Sequence, residues 1–137
     1  MKKSIIVLGM VMLLILLSPF VKGYEEKAKA REFAARYGWK VKDEVSEIAG
    51  ISIPDPLDSV YKRYNVLQKE MGFDLGRYCG RKAKRYTYEV LNHKFGEGVC
   101  INVIMYGGEV IAADVMTKAL DGFMHAVNRR EYVNEAG

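Results

Sequence analysis

Arg77, Arg81, Lys82, Lys84 and Arg85 follow one another with no acid between Asp74 and Glu89. Positive charge at that density suits an anionic partner, either lipid headgroups or a phosphate-bearing surface polymer. The plainer reading, and the preferred one, is a solvated loop and a strand edge protected from stray pairing by Lys and Arg. Alternation along residues 82–91 puts Lys82 and Lys84 on the face of Tyr86, with Arg81 and Arg85 on the other, so the five charges do not share one face. Asp114 stands in an apolar stretch, where a carboxylate must face solvent or find a partner. A structural ion pair with Arg85 is expected. In Asp121-Gly122-Phe123-Met124-His125, a tight turn would bring His125 back toward the Asp121 carboxylate and form a small polar site. The preferred alternative is a C-terminal flap in which Leu120, Phe123 and Met124 plug the core.

Nucleophilic chemistry has less support. Cys79 or Cys100 would be the nucleophile and His93 or His125 the base, as in a thiol-dependent hydrolase. Beyond residue 23 the serines are Ser46, Ser52 and Ser59, and none sits in a Gly-x-Ser-x-Gly elbow. There is no phosphate-cradling Gly-rich loop, no His-Glu-x-x-His and no Cys/His spacing for zinc. No catalytic residue, metal or cofactor is therefore expected. Cys79 and Cys100 read as two separate thiols, one in a loop and one buried in a strand. A disulfide between them is the alternative that an oxidising compartment would permit.

The N-terminus places these residues. Lys2 and Lys3 precede an apolar run from Ile5 to Leu17, followed by Ser18-Pro19 and Val21-Lys22-Gly23. A basic start, an apolar segment of this length and small residues before position 24 make an export signal, cleaved after Gly23 in the first reading. An uncleaved membrane anchor is the second. Both put residues 24–137 at the extracytoplasmic face. Pro19 should break the helix ahead of the cleavage site. The chain has 21 basic and 17 acidic residues. Three of the basic ones are Lys2, Lys3 and Lys22, which leaves 18 against 17 beyond the signal. That near balance argues against a nucleic-acid partner.

Residues 24–137 suffice for one domain with a single core. Residues 26–37 predict a helix, with Ala30, Phe33, Ala34 and Tyr37 on one stripe, Glu25 and Glu26 at its positive end and Gly38 as its stop. Residues 39–45 alternate as a strand, and a second extended piece covers 48–53. Asp55-Pro56-Leu57-Asp58 opens a second helix that Gly72 ends, with Asp55 as cap. A loop over 73–80 leads to strands at 82–91, 99–106 and 109–116. The middle strand is apolar on both faces, hence central. Gly107-Gly108 makes a two-residue hairpin turn. Ile111, Ala113 and Val115 should share one face, with Val110, Ala112, Asp114 and Met116 on the other. The expected fold is α+β in the order α-β-α-β-β-β, with two helices on one face of a small, mostly antiparallel sheet.

Four blocks carry a resemblance: Tyr37-Gly38-Trp39; Tyr64-Asn65-x-Leu67-Gln68-Lys69-Glu70-x-Gly72-Phe73-Asp74-Leu75; Lys84-Arg85-Tyr86-Thr87-Tyr88; and Ala119 to His125. Together they resemble the DUF4830 family, small exported bacterial proteins of unknown function, over residues 28–126. The resemblance implies export and a single domain, and transfers no catalytic or binding residue. The expected function is a non-catalytic binding or interaction domain at the cell envelope, with an envelope protein or an anionic surface polymer or lipid as partner. A small inhibitor or regulator of another envelope protein is the alternative, and the thiol hydrolase comes third. Arg81, Arg85, Asp114, Asp121 and His125 are the candidate binding residues.

Overall fold

The computed structural model describes residues 2–136. Its first element is a helix, α1, over Lys2–Arg36. The apolar segment and the expected 26–37 helix are thus one element. Pro19 lies inside it rather than ending it. A proline removes one hydrogen bond of the ladder, and the helix-forming runs on both sides carry the helix across that gap. Consequently Glu25 and Glu26 are mid-helix and not at its positive end. Ile5 to Leu17 are exposed around the whole circumference, whereas Ala30, Phe33 and Ala34 are buried.

Five strands follow as an antiparallel meander in spatial order β1-β2-β3-β4-β5: β1 Glu47–Ser52, β2 Lys82–Glu89, β3 Val99–Tyr106, β4 Glu109–Thr117 and β5 Met124–His125. The chain is of the expected α+β class. β3 is central and buried along seven of its eight residues, as its apolar sequence requires. Gly107 and Gly108 have φ of 59° and 78°, which a two-residue turn between twisted strands demands. Residues 39–45 do not form the expected strand. Val41 makes one bridge to Val90, then the chain bends at Asp43-Glu44 before β1 begins. β5, a two-residue strand on the far edge, pairs Val115 with His125 and Met116 with Met124.

The second helix, α2, spans Ser59–Lys69. Asp58, not Asp55, is its cap and accepts a hydrogen bond from the Tyr61 N–H at 2.8 Å. The helix does not join α1 on a shared face. α1 packs Ala30, Phe33 and Ala34 against Tyr86, Tyr88, Val103 and Val115, while Tyr61 and Tyr64 of α2 pack with a second cluster formed by Ile53, Leu75, Ala83, Ile104, Ile111 and Ala112. α2 is held along the edge of β4 by Gln68, which is fully buried. Its amide donates to the Ala113 carbonyl at 2.9 Å and accepts from the Ala113 N–H at 2.8 Å. One side chain thereby supplies both partners that a neighbouring strand would supply, and leaves no orphaned backbone group at that point.

A bulge in β4 redirects its side chains. Ile104 pairs with Ala112 and Met105 with Val110, so Ile111 is the extra residue. Val110 therefore packs with the α1-side cluster and Ile111 with the opposite one, the reverse of the faces that plain alternation assigns.

Candidate functional site

The bulge brings three polar side chains into line. Counting back from the Gly107-Gly108 turn, Asn102 would oppose Ala113; with one residue bulged out, it opposes Asp114. Thr87 opposes Asn102 on the other side. The result is a polar row across β2, β3 and β4. The Thr87 hydroxyl donates to Asn102 Oδ1 at 2.6 Å, Asn102 Nδ2 donates to Asp114 Oδ1 at 3.0 Å, and the Tyr64 hydroxyl donates to Asp114 Oδ2 at 2.6 Å. Every donor along the row points toward Asp114, which is 2 % exposed. Burial pushes its carboxyl above the usual carboxylate range; the Tyr64 and Asn102 hydrogen bonds and the more distant Arg85 charge oppose that shift. Burial and the adjacent Asp114 hold the Tyr64 hydroxyl firmly protonated.

Asn102 and Asp114 of the row, with Tyr64 and Arg85, line a cleft of about 230 Å³ whose walls are mainly apolar, formed by Ile51, Val60, Ile104, Met116 and Met124. The expected Arg85–Asp114 ion pair is absent. Both Asp114 oxygens are taken by Tyr64 and Asn102, and Arg85 Nη2 lies 3.4 Å from Glu47 Oε2 instead. Arg85 Nε is buried without a hydrogen-bond acceptor among the described residues.

The other expected residues distribute as follows. Arg77, Arg81, Lys82 and Lys84 are exposed, while Arg85 is half-buried and alone of the run lines the cleft. Asp121 is exposed and does not orient His125. The partner of His125 is His93, with Nε2 to Nε2 at 2.9 Å. Asp121 sits in the turn where the Gly122 N–H bonds the Ala119 carbonyl, whereas His125 is carried past that turn by β5 and directed at the 92–94 loop. Cys79 is a half-buried thiol and Cys100 a buried one, and no disulfide joins them.

The imidazole pair has fixed protons. His93 Nδ1 accepts from the Phe95 N–H at 3.0 Å, which leaves its proton on Nε2. His125 Nδ1 is 2.7 Å from the Ala126 carbonyl, which requires a proton on Nδ1. His93 Nε2–H therefore donates to the bare Nε2 of His125. All four ring nitrogens are engaged, and none is left to serve a cysteine as base. Among the described residues no three His, Cys, Asp or Glu side chains converge as a metal-binding group. Trp39 stacks on His93 at 5.4 Å and Tyr132 on His125 at 4.7 Å between ring centroids. Burial lowers the affinity of both imidazoles for a proton, and their mutual repulsion adds to this at His93. The pair ties the C-terminal segment to the 92–94 loop, beside the Lys94 N–H bond to Tyr132 and the Asn134 N–H bond to Asn92. These contacts make it a structural clasp.

A family model for the domain of unknown function DUF4830 matches residues 33–115. The chain belongs to the DUF4830 family. That span includes α2, the polar row and Arg85, and excludes the anchor-like part of α1, β5 and the clasp histidine His125. No curated protein and no solved structure matches the chain.

Proposed function

We propose that this DUF4830 protein is a non-catalytic binding module held at the extracytoplasmic face of a membrane by α1, with a protein partner received in the Asp114 cleft. The observation that carries the reading is a mainly apolar concavity of about 230 Å³ on which Arg85, Tyr64, Asn102 and Asp114 converge. A few convergent polar groups in a mainly apolar concavity are the usual composition of a binding site. The anchor half of the reading is supported by residues 5–21, which are apolar and helical and span about 25 Å at 1.5 Å per residue. That is close to the hydrocarbon thickness of ~30 Å. A protein partner is favoured over an anionic polymer because Arg85 is turned into the cleft while Arg77, Arg81, Lys82 and Lys84 are spread over a 3₁₀ turn, a loop and β2.

The test is affinity capture by the full chain from detergent-solubilised native membranes, read by quantitative mass spectrometry. Met116→Trp fills the cleft, and Val66→Trp places the same side chain at an exposed position of α2 outside it. A partner retained by the parent and by Val66→Trp but lost with Met116→Trp supports the proposal. A partner set that is the same for all three overturns it.

A further inference from the structure

Resting on α1 as a membrane anchor, we propose that the groove between α1 and residues 40–43 binds the headgroup of an anionic phospholipid whose acyl chains lie against the end of the apolar segment. The first argument is continuity. A recess of about 430 Å³ runs beside Pro19, Phe20 and Gly23. A larger one of about 590 Å³ is walled by Ala28, Arg31 and Ala35 on the helix and by Lys40, Val41 and Asp43 opposite. Tyr24 and Lys27 line both, so the groove of the domain opens onto the surface that the anchor turns to the bilayer. A ligand that reaches it along this path comes from the membrane.

The second argument is depth. Lys27 lies about 9 Å beyond Val21 along the axis, at 1.5 Å per residue. Helical side chains tilt toward the N-terminus, which here is the membrane side. The Lys27 amine therefore reaches back toward the headgroup layer, which is about 5–8 Å thick. Tyr24, 77 % exposed, stands between Phe20 and Lys27, at the level where tyrosine is enriched in membrane helices.

The third argument is charge. Lys27 makes no ion pair among the described residues. Of the acids along the groove, Glu32 is held by Arg36 at 3.2 Å and Asp43 by Arg31 at 3.7 Å. The Arg31–Asp43 pair is exposed, so Arg31 turns to a phosphate at little cost. A phosphodiester thus meets an ammonium and a guanidinium, while a zwitterionic headgroup brings its own cation to the same place. The apolar surface from Phe20 to Tyr24 asks in addition for acyl chains, which a free phosphate lacks.

The experiment uses the ¹⁵N-labelled full chain in neutral maltoside micelles and titrates three probes. The signals followed are the amides of Lys27, Ala28 and Arg31 and the indole of Trp39, the only tryptophan of the chain and part of the groove lining. Dihexanoyl phosphatidylglycerol is the anionic lipid, dihexanoyl phosphatidylcholine has the same tails with a zwitterionic head, and glycerophosphoglycerol is the anionic head without tails. The expected result is a saturable shift of these signals with phosphatidylglycerol. Binding should be weaker by about fivefold or more for phosphatidylcholine, with no saturation by glycerophosphoglycerol over the same range. Lys27→Gln should weaken phosphatidylglycerol by about fivefold, whereas Lys62→Gln, at an exposed position of α2 outside the groove, should leave it unchanged. The inference is overturned by no saturable shift, by equal binding of the two lipids, by equal binding of the tail-free head, which would make a free phosphate the ligand, or by equal responses in Lys27→Gln and Lys62→Gln. If these overturn it while protein recovered from membranes has the full-length intact mass, the lipid site falls and the anchor stands. A mass corresponding to a start at Tyr24 removes the anchor, and this site with it.

Discussion

Asp114 keeps both oxygens on neutral donors in a site from which solvent is nearly excluded. Removing one donor leaves a buried carboxylate short of a partner, which costs about 1–3 kcal/mol. Tyr64→Phe should therefore lower the unfolding free energy by that amount in a denaturant titration, with little change in slope. An unchanged midpoint would mean that the row does not bear on folding. The two titrating sites act in opposite directions with pH. Asp114 has its proton affinity raised by burial, so the folded state binds that proton more readily, and stability is gained as pH falls through the folded value. His93 and His125 have theirs lowered from the ordinary 6.5. The unfolded chain then binds protons that the folded pair excludes, so stability present above about pH 6.5 is lost as pH falls from there through the folded values. Glu131 moderates this at His125, while Arg129 reinforces it. His125→Gln should flatten the loss of stability below pH 6.5 in a series of thermal unfolding curves. A slope equal to the parent's would contradict the clasp.

At the scale of elements, Gln68 performs the work of a missing strand beside Ala113. Gln68→Leu keeps much of the volume and removes both bonds to that backbone. It should cost about 2–3 kcal/mol and speed amide exchange at Ala113 by roughly tenfold or more. Protection equal to the parent's would show that α2 is held by its tyrosines alone. What was legible in the sequence follows from period and punctuation. The apolar run of β3, the Gly107-Gly108 turn and the periodic face of residues 26–37 each encode an element locally, and each is found where expected. The site was less legible because a β-bulge leaves no reliable mark in apolar sequence. Ile111 is as suited to a regular strand as to a bulge, yet its extra residue decides that Asn102 meets Asp114. Tyr64 and His93 were missed as partners for a related reason: they lie 50 and 32 residues from the groups they bond. Only the packing of α2 on the β4 edge and of β5 on the 92–94 loop brings them close. Arg85 lines the cleft, but pairing it with Asp114 assumes that the nearest unlike charge in a regular strand pattern wins. Glu47, set close by the β1–β2 register, pairs with it instead.

At the scale of the whole molecule, the anchor and the domain share one helix. Glu26 accepts a hydrogen bond from the Tyr86 hydroxyl, and Lys29 Nζ donates to the Gly108 carbonyl at 2.7 Å. The sheet is thus fastened to α1 within eight residues of Val21, where the apolar segment ends. On the anchor reading the domain sits close against the membrane without a linker, and protein recovered from membranes should have the full-length intact mass. A mass corresponding to a start at Tyr24 would instead establish a released domain. The central claim is that a partner enters the Asp114 cleft, and photo-crosslinking in intact cells tests it most directly. A benzoylphenylalanine replaces Val60, at the cleft rim, or Val66, exposed on α2 and outside the cleft lining. A discrete adduct from position 60, absent from position 66 and abolished by Met116→Trp, is the predicted result. No adduct from position 60, or the same adducts from both positions, would contradict it.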